Sequence, residues 1–251
     1  MAFETIKDLI TVNVPTKESG FQFNGRLWTR SSPDYLSWKG ANEFCNNRST
    51  LLNTLDEAVE FRFGSKGDDD SHLRQWSRTL IGYSPDGEAG NRAYLFEPNA
   101  DELKLVLARP EIVNNQNCLL LDTKEDLGKC IKRFASETDR TFIVPAEDLK
   151  LNIHPDASGH TEYGTSEKVK VFMPTQSEQN AAYILANQDK VHRDYCGFGH
   201  IWFARPVLKE GQMLVRPVGL GGSGYYYGID GVDADVDFSY DRRARGVASA
   251  R

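Results

Sequence analysis

The sequence predicts an α+β protein: a mostly antiparallel, β-rich body with two early helices, interrupted by an α/β insertion. Three observations carry that reading. The C-terminal stretch Cys196 to Arg251 breaks into short runs at His200–Arg205, Met213–Val218, Gly224–Gly228 and Ala244–Ala248. Glycine, proline or acidic turn residues bound each run, as expected of consecutive strands. Near the N-terminus, Phe21–Gln22–Phe23 and Arg26–Leu27–Trp28 flank Asn24–Gly25. That dipeptide accepts the positive φ angles of a type I′ turn and predicts a hairpin. Between the two ends, strand patterns alternate with amphipathic helices, the mark of an α/β unit.

After the hairpin, Ser31–Ser32–Pro33–Asp34 breaks the chain and opens a helix in which Tyr35, Trp38, Ala41, Phe44 and Cys45 recur at three- and four-residue spacings. Thr54–Leu55–Asp56–Glu57 has the form of a capping box and predicts a second helix carrying Ala58, Val59 and Phe61. Residues 64–90 turn polar, with Asp68–Asp69–Asp70 and Ser84–Pro85–Asp86–Gly87, and read as a long ordered loop with a strand inside it at Leu80–Ile81. Ala93–Phe96 and Leu103–Ala108 read as strands about a turn at Glu97–Pro98–Asn99.

The middle of the chain changes character. Cys118–Leu121 is a continuous apolar run, as in a strand buried on both faces. A helix from Thr123 to Ser136 follows, with Leu127, Cys130, Ile131 and Phe134 on one side. Thr141–Val144 and Lys168–Met173 read as strands, and Thr175–Gln176–Ser177–Glu178 as a second capping box opening another helix. Residues 152–165, rich in His, Pro, Gly and Ser, read as a linker. Residues 1–110 and 191–251 are therefore expected to form one β-rich body from both chain ends, with 111–190 a strand–helix insertion or small second lobe.

Composition bounds the chemistry. With 251 residues, 39% hydrophobic and 26% charged, the chain has material for a globular core. A net charge of −6 argues against broad non-specific nucleic-acid binding, which needs clustered Lys and Arg. No apolar run reaches the length of a membrane helix, and residues 1–8 lack the features of a signal peptide. A cytoplasmic, reducing setting is expected. Cys45, Cys118, Cys130 and Cys196 are widely spaced and read as small buried hydrophobes instead of a disulfide or zinc framework.

Several catalytic signatures fail on inspection. His192–Arg193–Asp194 has the order of a kinase catalytic loop, but the required Asn is replaced by Gly199. His160–Thr161–Glu162 matches half of a zinc deaminase motif with no Pro-Cys-x-x-Cys downstream. The glycine run 219–224 leads into Tyr225–Tyr226–Tyr227 and not into a helix, so it reads as a plain loop instead of a phosphate cradle. Cys196 with His192 or His200, and Asp194 as the one carboxylate nearby, gives an alternative thiolate site. Asp230, Asp233 and Asp235 are the candidate metal ligands, calcium being the cation that takes such oxygens; on a strand they would instead share one solvated face. Tyr225, Tyr226, Tyr227 and Trp202 are candidate ligand-binding residues, since flat amphipathic rings bury much area at little entropic cost.

Ser37–Trp38–x–x–Ala41–x–x–Phe44–Cys45 followed by Leu51–Leu52–x–x–Leu55–Asp56–Glu57–Ala58 resembles the two-helix opening of C-type-lectin-like domains. Ile201–Trp202–Phe203–Ala204–Arg205–Pro206 and Arg245–Gly246–Val247–Ala248 resemble the ending of their prokaryotic, sulfatase-modifying-factor relatives. The resemblance lies at the two ends of the chain and implies that fold and a display-type role. Glu97–Pro98–Asn99 reproduces a lectin calcium tripeptide, but no Trp-Asn-Asp strand follows, and the oxidase cysteines of the sulfatase-modifying enzymes are unmatched.

The leading expectation is a non-enzymatic recognition or structural module presenting aromatic and acidic loops to a protein or surface ligand, for example in a phage or other particle. The alternative is a cytosolic enzyme using Cys196, His192, Asp194 and His200. A homo-oligomeric shell or scaffold protein is the third reading.

Overall fold

The computed structural model describes residues 20–64, 74–86, 90–147, 150–152, 167–176, 178, 200–221, 231–239 and 242–248. The described residues open with the hairpin β1 (Phe21–Phe23) and β2 (Arg26–Trp28), in register Phe21 to Trp28. Asn24 and Gly25, at φ 49° and 72°, form its tip, as the type I′ reading requires. Helix α1 (Trp38–Asn46) is capped by Ser37, whose side chain accepts from the Gly40 amide, and it buries Trp38, Ala41 and Cys45. Strand β3 (Leu51–Leu52) leads into α2 (Leu55–Gly64). There Thr54 and Glu57 exchange amide-to-side-chain bonds of 2.7 and 3.1 Å, the capping box expected from sequence.

The remaining elements build one large sheet and its cover. They are β4 (Gln75–Pro85), β5 (Asn91–Phe96), α3 (Ala100–Leu107), α4 (Pro110–Val113), β6 (Leu119–Asp122), α5 (Asp126–Glu137), β7 (Thr141–Val144), β8 (Lys150–Asn152), α6 (Glu167–Phe172), β9 (His200–Phe203), β10 (Gln212–Leu220), β11 (Gly231–Ala234) and β12 (Gly246–Val247). The large sheet runs β7-β5-β4-β10-β11-β9-β8, and β6 also pairs with β10. All its pairings are antiparallel except β9 with β11. Strands β6, β7 and β8, from the middle of the sequence, are hydrogen-bonded members of this sheet.

A second sheet, β1-β2-β12-β3, joins the two ends of the polypeptide. Val247 pairs with Trp28 and Leu51, and Gly246 with Leu52. Phe23, Trp28 and Phe61 pack beneath it with ring centroids 5.2–5.8 Å apart, and the Arg245 guanidinium lies 4.1 Å from the Phe61 centroid. Arg26 clamps the hairpin onto α2 through Glu57 and Glu60 at 2.6 and 2.5 Å. The chain ends therefore close on one another, and the fold is α+β as the sequence predicts.

Four local expectations are corrected. Leu103–Ala108 is not a strand but most of α3, because Asn99 forms a full capping box with Glu102 and the buried Leu103 and Val106 fall on one helical face. Lys168–Met173 is helical for the same kind of reason: a short apolar run carries no decisive period. Packing decides it, with Phe172 set 5.7 and 6.1 Å from the rings of Phe142 and Phe203. Strand β6 is buried on one face only, and Leu120 is 45% exposed. The polar stretch before Gly90 contains the eleven-residue β4, central in the sheet, whose Ser77 and Thr79 meet their polar needs through the Val218 carbonyl and the Leu55 amide.

Candidate functional site

Five strand termini fall in a row at one end of the large sheet. Gln75 opening β4 pairs with Leu220 closing β10. Gly231 opening β11 pairs with His200 opening β9, and His200 pairs with Asn152 closing β8. Leu220 in turn pairs with Val232, which joins the two groups. The β4–β5 hairpin, paired Pro85 to Asn91, lies at the opposite end.

Buried guanidinia of Arg242 and Arg62 hold this row, and the half-buried Arg216 braces the chain after β11. Arg242, 2% exposed, donates to the Leu220 carbonyl at 2.7 Å and to Asp233 Oδ2 at 2.6 Å. Its guanidinium sits 5.2 Å from the Trp76 ring centroid. Gly219 has no side chain because a Cβ there would lie 3.0–3.1 Å from three atoms of Arg242. Arg62, from the last turn of α2, donates to the Gly221 carbonyl at 3.0 Å. Arg216 on β10 donates to the Asp235 carbonyl at 3.0 Å and contacts the Asp237 carboxylate. From sequence, Arg242, Arg243, Arg245 and Arg251 read as a solvated C-terminal end; the structure instead buries Arg242 and Arg245, because the first reaches the Leu220 carbonyl and Asp233 and the second the Thr29 carbonyl.

The structure brings two of the predicted site residues together. Trp202 on β9 and Asp233 on β11 are register partners on adjacent strands, and Trp202 is 39% exposed. Asp235 follows directly after β11 and is exposed at the surface; partial desolvation of its carboxyl, with the Asp233 charge beside it, raises it above the ordinary range. Among the described residues no three His, Cys, Asp or Glu side chains converge as metal ligands. Tyr225, Tyr226, Tyr227, Asp230, His192, Asp194 and Cys196 lie outside the described residues; His200 is the first residue of β9.

Comparison with known proteins bears on the fold. No family model and no curated protein sequence matches the chain. The body is a C-type-lectin-like α+β fold: two early helices, the termini paired in one sheet, and a second sheet bearing the long connections. A solved structure described as "Accommodation of massive sequence variation in Nanoarchaeota by the C-type lectin fold" is similar to it, with a TM-score of 0.53. The two are 13% identical over 92% of this chain and 97% of that one. No helix among the described residues is long and apolar enough to cross a membrane.

Proposed function

We propose that the chain is a recognition module, a C-type-lectin-like body that presents loops from one end of its large sheet to a macromolecular partner such as a protein or particle surface. The row of strand termini carries this reading. Residues 222–230 connect Gly221 to Gly231, and residues 179–199 lead into His200, so the stretches richest in candidate contact residues start or finish at that row. Tyr225, Tyr226, Tyr227 and Trp202 are the contact residues in this proposal, since rigid amphipathic rings suit adaptable binding surfaces. The solved neighbour is described as accommodating massive sequence variation. Carried to this chain, that means residues at the loop-bearing end are replaceable while the buried arginines and rings hold the body. A calcium ion at Asp230, Asp233 and Asp235 is not needed for this reading, because Arg242 already neutralises Asp233.

The test is a displayed library randomised at Trp202 and Tyr225–Tyr227 and selected against streptavidin as an arbitrary target protein. Most members should unfold cooperatively within about 3 °C of the parent, a cost near 1 kcal/mol, and selection should yield binders of roughly micromolar affinity. Widespread loss of cooperative unfolding, or no binders from a well-folded library, would remove the reading.

A further inference from the structure

Two buried charges at the end of a strand call for an explanation. A terminal carbonyl is ordinarily satisfied by water, and burying a guanidinium carries a desolvation cost that an ion pair offsets only with good geometry, so such groups are weak evidence of stability and better evidence of a specified arrangement. Here the carbonyls of Leu220, which closes β10, and of Gly221 just after it accept from Arg242 and Arg62, which come from the C-terminal segment and from α2. Arg242 also reaches forward to Asp233 on β11, the strand on the other side of residues 222–230. One side chain thus grips both flanks of that connection, with Gly219 cleared to admit it and Trp76 beneath it.

We infer that Arg242 and Arg62 are positioning residues that fix the spacing and direction of the two stems flanking residues 222–230. The inference rests on the recognition reading for its purpose: a contact loop whose sequence is replaceable needs stems set by groups outside it. Arg is required because its planar fork addresses a carbonyl and a carboxylate at once, which a lysine point charge does not.

The experiment is native-state chymotrypsin digestion with cleavage sites resolved by mass spectrometry, in the parent chain, Arg242→Lys and Arg62→Lys. Cleavage at Tyr225–Tyr227 reports the stems, and cleavage at the fully buried Tyr83 reports global opening. Arg242→Lys should raise the ratio of the first to the second by about tenfold, a local opening and not a global one. Arg62→Lys, which leaves the Asp233 pair intact, should raise it by less. An unchanged ratio in both variants overturns the inference, as does failure of both to fold, which would make the arginines parts of the core alone. No partner is used in this assay, so its failure leaves the library test standing, and the converse holds too.

Discussion

The hydroxyl of Tyr83 donates to the carbonyl oxygen of Ala234 at 2.7 Å. The Tyr83 hydroxyl oxygen in turn accepts from the Ala204 amide at 3.3 Å. A single buried side chain on β4 therefore reaches past β10 and ties the exit of β11 to the exit of β9, the one parallel strand pair among the described residues of the sheet. Burial pushes the Tyr83 hydroxyl well above its ordinary pKa, so the proton stays on to make this donation.

Tyr83→Phe should destabilise the fold by about 1–3 kcal/mol, because it leaves a buried backbone acceptor and donor without their partner. Urea unfolding should show a lower midpoint with the slope unchanged. A variant as stable as the parent would mean that the parallel pair is held by its ladder alone.

A second expectation concerns pH. Asp56, in the first turn of α2, accepts from the Thr175 amide at 3.2 Å and contacts the Thr175 hydroxyl, fastening the turn after α6 to the helix start. Burial raises its carboxyl above the ordinary range, offset in part by the Thr175 bonds and by Arg140, itself paired with Glu97. The folded state then holds this proton more tightly than the unfolded chain. Its contribution is complete below the unfolded value of ~3.9, and it is lost as pH rises through the folded value. Asp56→Asn keeps an uncharged acceptor, and the Thr175 hydroxyl can turn to accept from the amide. Relative to the parent, the variant should be matched near about pH 3 and gain stability by about pH 7. Urea midpoints at both values check the sign; a relative loss on going to neutral pH would reverse it.

How much of this was legible in the sequence follows from which forces are local. The Asn24–Gly25 turn, the Thr54 capping box and the 38–45 face are set by residues within four positions of one another, and each stands in the structure as read. The pairing of Val247 with Trp28 joins positions far apart, yet the family resemblance at the two chain ends implied it. Leu103–Ala108 and Lys168–Met173 were misread because six apolar-rich residues fit either period, and the arbiter was distant: Asn99 capping in one case, the Phe142 and Phe203 rings in the other. The arginine braces were invisible for a similar reason. Charge in a sequence reads as solvated surface until the strand ends that enclose Arg62 and Arg242 are known.

The cysteines give a chemical check. Burial pushes the Cys45 thiol up to about 12, with Arg48 opposing only in part. Burial and the Glu102 carboxylate raise Cys130 to about 11. Both thiols should resist iodoacetamide in the folded protein near pH ~8, where an ordinary thiol of pKa ~8.5 reacts readily. Peptide mapping should find Cys45 alkylated only after unfolding. A thiol titrating well below the ordinary value in the native protein would have to be another cysteine, and were it Cys196 the enzymatic alternative would gain ground.

Closure of the chain ends depends on two glycines for opposite reasons, and substituting each by alanine separates them. Gly246 on β12 has ordinary backbone geometry, but an added Cβ would overlap Thr50 Oγ1 and lie 2.9 Å from Thr50 Cβ and 3.2 Å from Cys45 Sγ. Thr50 is buried and bonded to the Cys45 carbonyl at 3.0 Å, so it has nowhere to go. Gly246→Ala must therefore displace β12 from its place between β2 and β3, disturbing the 2.8 Å bond from the Gly246 amide to Thr29 Oγ1, at a cost of about 1–3 kcal/mol typical of overpacking. Gly25 has open space around it but sits at φ +72°, so Gly25→Ala meets only backbone strain, roughly 1 kcal/mol. Thermal and urea unfolding of both variants should show Gly246→Ala as the more damaging. If the order is reversed, the contact between β12 and the turn from α1 to β3 is softer than the spacing of Gly246, Thr50 and Cys45 requires.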